Sequence, residues 1–121
     1  MPTNELSVAV RAEDGVATMD LTGELDSSAE AALQAGYAEA AQSSPGVIVL
    51  NFAATDYINS TGIALIVGLL GQARSRGVEV RAHGLSAHYR EIFEITRLAD
   101  FMTIVDSENS ALDGAERNEH A

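Results

Sequence analysis

Apolar positions along this chain fall into short alternating runs and longer helical runs, separated by polar breaks. Leu6, Val8 and Val10 alternate with Ser7, Ala9 and Arg11, the pattern of a strand with one dry face. Glu13-Asp14-Gly15 reads as a turn, with Gly15 supplying a positive φ. Ala17, Met19 and Leu21 then alternate with Val16, Thr18, Asp20 and Thr22, a second strand expected to pair with the first as a hairpin. Thr22-Gly23-Glu24-Leu25-Asp26 is read as leaving the sheet. Asp26, Ser27 or Ser28 caps an Ala-rich helix over Ser27–Gln42, which Ser43-Ser44-Pro45-Gly46 ends.

Val47–Leu50 with Asn51 and Phe52 fits a buried strand bounded by polar turns. A polar turn is expected over Thr55–Gly62, followed by a helix from about Ile63 to Arg76 that Gly77 terminates. In that helix Ile63, Ile66, Val67 and Leu70 follow the i, i+3, i+4, i+7 rule and are expected to face the core. Leu65 and Leu69 lie together on a third side, either packed under a neighbouring helix, the favoured reading, or exposed to a partner. Ala64, Gly68, Gly71 and Ser75 form a separate stripe of small side chains. Glycine inside a helix costs about 1 kcal/mol relative to alanine, so close approach of another surface is expected to offset it.

Val78, Val80 and Ala82 give a fourth strand, and Ser86 caps a third helix carrying Tyr89, Ile92 and Phe93. A turn follows over Thr96–Asp100, then a fifth strand over Met102–Val105 and a final helix over Asn109–Arg117; the tail after Gly114 is expected to fray. The order is β-β-α-β-α-β-α-β-α. It predicts a single α/β domain over 1–121, its core at about 6–112, with a mixed, mostly parallel sheet of about five strands. If strands adjacent in sequence are adjacent in space, right-handed crossovers put the main helices on one face.

At 121 residues and 46% hydrophobic, the chain can build one core without staples. Cysteine is absent, which excludes disulfides and thiolate metal sites. No apolar stretch approaches the ~20 residues that span a bilayer. No basic-then-apolar leader is visible in MPTNELS, so a soluble cytoplasmic protein is the default expectation. The net charge is −11, and all 7 cationic side chains are arginine. Such a surface repels nucleic acid and anionic lipid, so neither is an expected partner.

Ser60 sits between a strand and a helix, as a hydrolase nucleophile would, but Ile58-Asn59-Ser60-Thr61-Gly62 lacks the first glycine of G-x-S-x-G. His83 is the one histidine whose position allows it to serve as a base. A small serine hydrolase is therefore the remote reading. No Walker or dinucleotide fingerprint is present, and a helix N-terminus that attracts anions does not by itself select a nucleotide. His83 and His88 lack an acidic ligand pattern, so no metal and no cofactor is expected. Plain capping explains part of Asn59-Ser60-Thr61-Gly62. It does not explain three small polar residues in a row beside a glycine-bearing helix face.

Thr22-Gly23-Glu24-Leu25-Asp26 together with Asp56-Tyr57-Ile58-Asn59-Ser60-Thr61-Gly62-Ile63 resembles the STAS domain of bacterial anti-sigma factor antagonists. The resemblance spans about Leu6 to Leu112. It implies a phosphorylation-controlled protein switch, not an enzyme. Unphosphorylated, such a domain binds an anti-sigma factor serine kinase and so releases a sigma factor; the kinase phosphorylates a serine and a phosphatase restores it. That serine corresponds to Ser60, the next hydroxyl to Thr61 and the following glycine to Gly62. Asn59 stands where the family carries aspartate, removing one charge beside the acceptor. The family also includes scaffold members of stress-signalling assemblies and cytoplasmic tails of anion transporters. The scaffold reading is the alternative function; the switch is expected to be a monomer or weak dimer.

Physical chemistry supports a switch at this point. A phosphoryl group on Ser60 adds about −1.5 to −2 charges at a helix start that favours anions, so its effect falls on a partner and not on the fold. The candidate docking residues are Glu24, Asp26, Asn59, Ser60, Thr61, Gly62, Ala64 and Gly68. They share one edge if the second strand neighbours the third.

Overall fold

The computed structural model describes residues 5–112. Five strands form one sheet in the order β1-β2-β3-β4-β5, with β1 Ser7–Glu13, β2 Val16–Leu25, β3 Val47–Ile58, β4 Glu79–His83 and β5 Thr103–Ile104. β1 and β2 pair antiparallel, and every later neighbour is parallel. Four helices connect or follow the strands: α1 Glu30–Ala41, α2 Ser60–Ser75, α3 Ala87–Ile95 and α4 Glu108–Leu112. Sequence neighbours are thus spatial neighbours throughout.

The hairpin closes on Asp14 (φ 54) and Gly15 (φ 80), both left-handed. A two-residue loop of this kind matches the natural twist of the strands it joins. Alternation then decides the faces. Ala17, Met19 and Leu21 of β2, with Ile48, Leu50 and Phe52 of β3, bury against α1, α2 and α3. Phe52 meets Phe93 of α3 edge to face at 5.8 Å. On the opposite face Val16, Val47 and Val49 gather under Ala111 of α4. Arg81 spans to that helix by donating from Nη1 to the Ala111 carbonyl at 3.0 Å.

Gly36 on α1 explains how an alanine-rich helix seats on the sheet. A Cβ there would lie 2.5 Å from Val8 Cγ1 and 3.3 Å from the Met19 methyl, so the helix rests directly on strand side chains.

Several boundaries differ from the sequence expectation. β2 continues through Glu24 and Leu25 instead of leaving the sheet at Thr22, with register shifts between Asp20 and Thr22 and between Gly23 and Glu24. β3 continues through Ile58, so most of the expected polar turn Thr55–Gly62 is strand. Pairing supplies the reason: Glu24 aligns with Tyr57 and Leu25 with Ile58, and the mutual hydrogen bonds override polar side chains that local propensity reads as turn. The first helix opens with a 3₁₀ turn over Ser27–Ala29. A second such turn, Leu98–Asp100, sits inside the expected turn Thr96–Asp100. The last helix begins at Glu108, and its expected continuation beyond Leu112, like the tail after Gly114, lies outside the described residues.

In α2 the buried stripe is Gly62, Ile66, Leu69, Leu70 and Ala73. Leu69 is 1% exposed, as expected of a residue under a neighbouring helix, whereas Val67, expected in the core, is 50% exposed. Rotating the helix by one position buries Leu69 and turns Val67 out. Period alone cannot choose between two apolar stripes on a helix that is apolar nearly all round.

Candidate functional site

Three chain segments meet at the edge where β2 and β3 end. Leu25 is the last residue of β2 and pairs with Ile58, the last of β3. The Leu25 carbonyl accepts the Asn59 N–H at 3.2 Å, carrying the pairing one residue beyond the strands. Asn59 then caps α2: its Oδ1 accepts the Gly62 N–H at 2.9 Å, and its carbonyl accepts the Ile63 N–H at 2.9 Å.

Ser60 is consequently the first residue of α2, at its electropositive end. Ser60 and Thr61 are exposed, and neither hydroxyl is engaged by another described residue. Gly62 is buried. A Cβ at Gly62 would overlap the Leu25 carbonyl oxygen and approach the carbonyl carbon to 2.7 Å. The helix start therefore leans on the β2 terminus through bare backbone.

Asp26 follows at once. Its Oδ1 accepts from the Ser28 N–H at 2.9 Å and from the Ser28 hydroxyl at 2.6 Å, capping the turn that leads into α1. The Ser28 hydroxyl, then its backbone N–H, hold the Asp26 carboxyl below the usual carboxylate range, against the opposing effect of burial. Glu24 is half-buried beside Tyr57, itself 46% exposed. Of the predicted docking residues, Ser60, Thr61, Ala64 and Gly68 are exposed, and Glu24, Asp26 and Asn59 are half-buried on the same edge. Gly62 lies beneath them and shapes the surface without presenting itself.

The α2 stripe is open. A Cβ on Gly68 or Gly71 would meet nothing within 4 Å, so no surface among the described residues offsets the helical glycines. Between Asp56 and Glu79 the sequence carries no acidic residue, although the whole chain holds 18. The exposed face of α2 is thus a near-neutral strip on an acidic protein.

Two contributors carried no sequence signal for this role. One is the Leu25 carbonyl, a backbone group invisible to residue typing. The other is the Tyr89 hydroxyl, which accepts the Ile58 N–H at 3.1 Å and ties α3 to the same edge. The Ser60–His83 pairing is not formed. His83 is aligned with Asn51, seven residues before Ile58, which amounts to about 20 Å of strand. It is buried at 5% exposure.

Comparison with known proteins bears on this arrangement. The family described as "Mlab, STAS domain" matches residues 8–106. No curated protein sequence matches the chain. An anti-sigma factor antagonist from Mycobacterium paratuberculosis shares the fold at TM-score 0.75 and 21% identity, over 94% of this chain and 97% of that one. The Bacillus cell fate determinant SpoIIAA in its phosphorylated form matches at TM-score 0.67 and 22% identity, over 88% of this chain and 97% of its own. A sulfate transporter family protein from Wolinella succinogenes matches at 0.78 and 17%, over 92% and 93%. At such identities the likeness speaks for the fold, which these proteins of different description share.

Proposed function

The chain belongs to the STAS domain family, and from that premise we propose that it is an anti-sigma factor antagonist switched by phosphorylation of Ser60. The observation that carries the reading is the position of Ser60: exposed, unengaged, and first in a helix whose cap is supplied by the residue before it.

In this reading the unmodified edge docks an anti-sigma factor serine kinase. Glu24, Asp26, Asn59, Ser60, Thr61, Ala64 and Gly68 form the contact, and Gly62 sets its shape. The open glycines of α2 let a partner's backbone approach closely, which supplies the compensation absent among the described residues. While docked, the kinase cannot hold its sigma factor.

The kinase then transfers a phosphoryl group from ATP to Ser60 Oγ, and the hydroxyl proton leaves to a base of the kinase. The new group carries about −1.5 to −2 charges. Backbone N–H groups at the start of α2 favour it by about 0.3–1 kcal/mol, so the domain stays folded. The partner's surface, packed against a formerly neutral strip, must now desolvate a dianion, and the complex separates. A phosphoserine phosphatase resets the switch. Ser60 is an acceptor here and not a nucleophile toward substrates, so the protein works by binding and not by catalysis. Free in the cytoplasm, it needs no cofactor.

The test is incubation with candidate kinases of the same genome and ATP, then mass spectrometry of the peptide holding Asn59–Gly62. Ser60→Ala is expected to abolish labelling and retain partner binding. Ser60→Asp is expected to stay folded and lose binding; binding as tight as the native protein's would overturn the switch. A large stable oligomer indifferent to the Ser60 hydroxyl would favour a scaffold module instead.

A further inference from the structure

Ser60, Ala64, Val67, Gly71 and Arg74 recur at i, i+4, i+7, i+11 and i+14, so they form one row along α2, and all five are exposed. Val67 stands at the middle of the row, two helical turns from Ser60 and two from Arg74. At 1.5 Å per residue the row is ~21 Å long. Among the described residues four large apolar side chains are exposed, and three of them mark this row. Tyr57 lies just before its start, Val67 is 50% exposed at its centre, and Phe101 carries Arg74 over its ring at its end.

Charge follows the same axis. At the Ser60 end stand Glu24 and Asp26, where β2 runs on toward α1. At the other end stand Arg74 and Arg76, and no acidic residue lies between Asp56 and Glu79 to offset them. The middle is neutral and, at Gly68 and Gly71, bare. A face that is acidic at one end, apolar at its centre and basic at the other complements a copy of itself turned end for end. A two-fold axis at Val67 sets that side chain against the second copy's Val67 and places Ser60 opposite the second copy's Arg74. Arg76 borders Tyr37 and Ala41 of α1, the flank on which Asp26 leads into that helix, so the same axis sets Asp26 opposite the second copy's Arg76. The two helices then run antiparallel with their dipoles opposed, and their small side chains allow an approach at the short end of the usual ~8–10 Å.

We infer that the exposed face of α2 is the interface of a weak antiparallel homodimer of this chain. One helix face is smaller than the ~800 Å² a side of a standard interface, so the dimer is transient. The net charge of −11 opposes association at long range. At physiological ionic strength the Debye length is about 8 Å, so that repulsion is screened while charges in contact keep their attraction. A negative group at position 60 faces Arg74 of the second copy and tightens the dimer, the opposite of its effect on the kinase complex. The inference does not rest on phosphorylation of Ser60.

Sedimentation equilibrium of the full chain, from about 10 μM to about 1 mM at physiological salt, tests it. A monomer–dimer equilibrium is expected. Val67→Asp, at an exposed position, should weaken it about tenfold or more, because two carboxylates then meet across the axis. Ser60→Asp should tighten it about fivefold, through two symmetric surface ion pairs. In an Arg74→Glu background the same substitution should weaken it instead. Positions 60 and 74 of one chain are ~21 Å apart, beyond the Debye length, so such a reversal reports contact between two copies. The inference is overturned by a chain that stays monomeric to about 1 mM, by a dimer that Val67→Asp leaves intact, or by a Ser60→Asp effect that ignores residue 74. A kinase that labels Ser60 of a strictly monomeric chain would sink the dimer and leave the proposed switch standing.

Discussion

The carbonyl of Leu25 and the Cα of Gly62 touch so closely that no side chain fits between them. Leu25 ends β2 and Gly62 lies in the first turn of α2, so this contact joins the two motifs that the sequence separates by more than thirty positions. Gly62→Ala forces a methyl group into a carbonyl that already accepts the Asn59 N–H. The expected cost is about 1–3 kcal/mol, the range for overpacking a tight site, read as a lower urea midpoint. An unchanged midpoint would show that the β2 end and the α2 start are not rigidly joined.

Gly68→Ala is expected to do the reverse. Its Cβ would meet nothing, and alanine is favoured over glycine in a helix interior by about 1 kcal/mol. The free protein should therefore become more stable in thermal unfolding. If the α2 face is the docking strip, the same substitution weakens partner binding measured by calorimetry. The opposed signs separate a folding role from a docking role.

Asn59 offers a paired test. Asn59→Ala removes the acceptor for the Gly62 N–H and should cost about 1 kcal/mol. Asn59→Asp keeps an acceptor there and adds a charge at the positive end of α2, so stability should hold or rise by up to about 1 kcal/mol at low salt. Kinase labelling of Asn59→Asp should be faster than of the native chain if the family's aspartate assists transfer. Equal rates would mean that the amide serves as well.

The pH dependence should report Asp20. Its carboxylate takes Arg11 Nε at 2.7 Å and Arg11 Nη2 at 2.9 Å, with Asn51 Nδ2 at 2.8 Å. The Arg11 hydrogen bonds, foremost, hold its pKa below the usual value, against burial and with help from Asn51. A depressed folded pKa gives stability that is present above the unfolded value of about 3.9 and is lost as pH falls through the folded one. Arg11 is 51% exposed, so solvent screening keeps the contribution below about 1 kcal/mol. Asp20→Asn should lower the urea midpoint at pH 7 and converge on the native protein under strongly acid conditions. A difference that grows as pH falls would contradict this pairing.

Arg81 should govern the docking of α4. It is 9% exposed and bonded both to Glu79 Oε2 at 2.7 Å and to the Ala111 carbonyl. Arg81→Met should cost about 1–3 kcal/mol through the partners left behind. Amide exchange should rise at Ala111 and Leu112 before it rises in β3. Unaltered exchange at those amides would show that Val16, Val47 and Val49 hold the helix unaided.

The order of elements, the hairpin turn around Asp14-Gly15 and the cap at Ser86 were legible in the sequence. Each depends on neighbours a few positions apart, where backbone geometry and side-chain type suffice. The choice of Ser60 as the candidate phosphoacceptor came from the resemblance of its motif to the STAS family, since a hydroxyl between strand and helix reads equally well as a plain helix cap.

Other features were settled only when distant segments met. Strands β2 and β3 outrun their apolar cores because each supplies the other's hydrogen bonds, which no single-strand pattern encodes. Val67, expected in the core, turned outward because the sheet and α1 selected one of two apolar stripes on α2. The glycine requirement at position 62 comes from a carbonyl at position 25, a group every residue possesses and no residue type announces. Side chains write the local elements; the contact between backbones, made only after collapse, decides how those elements meet and what surface they offer.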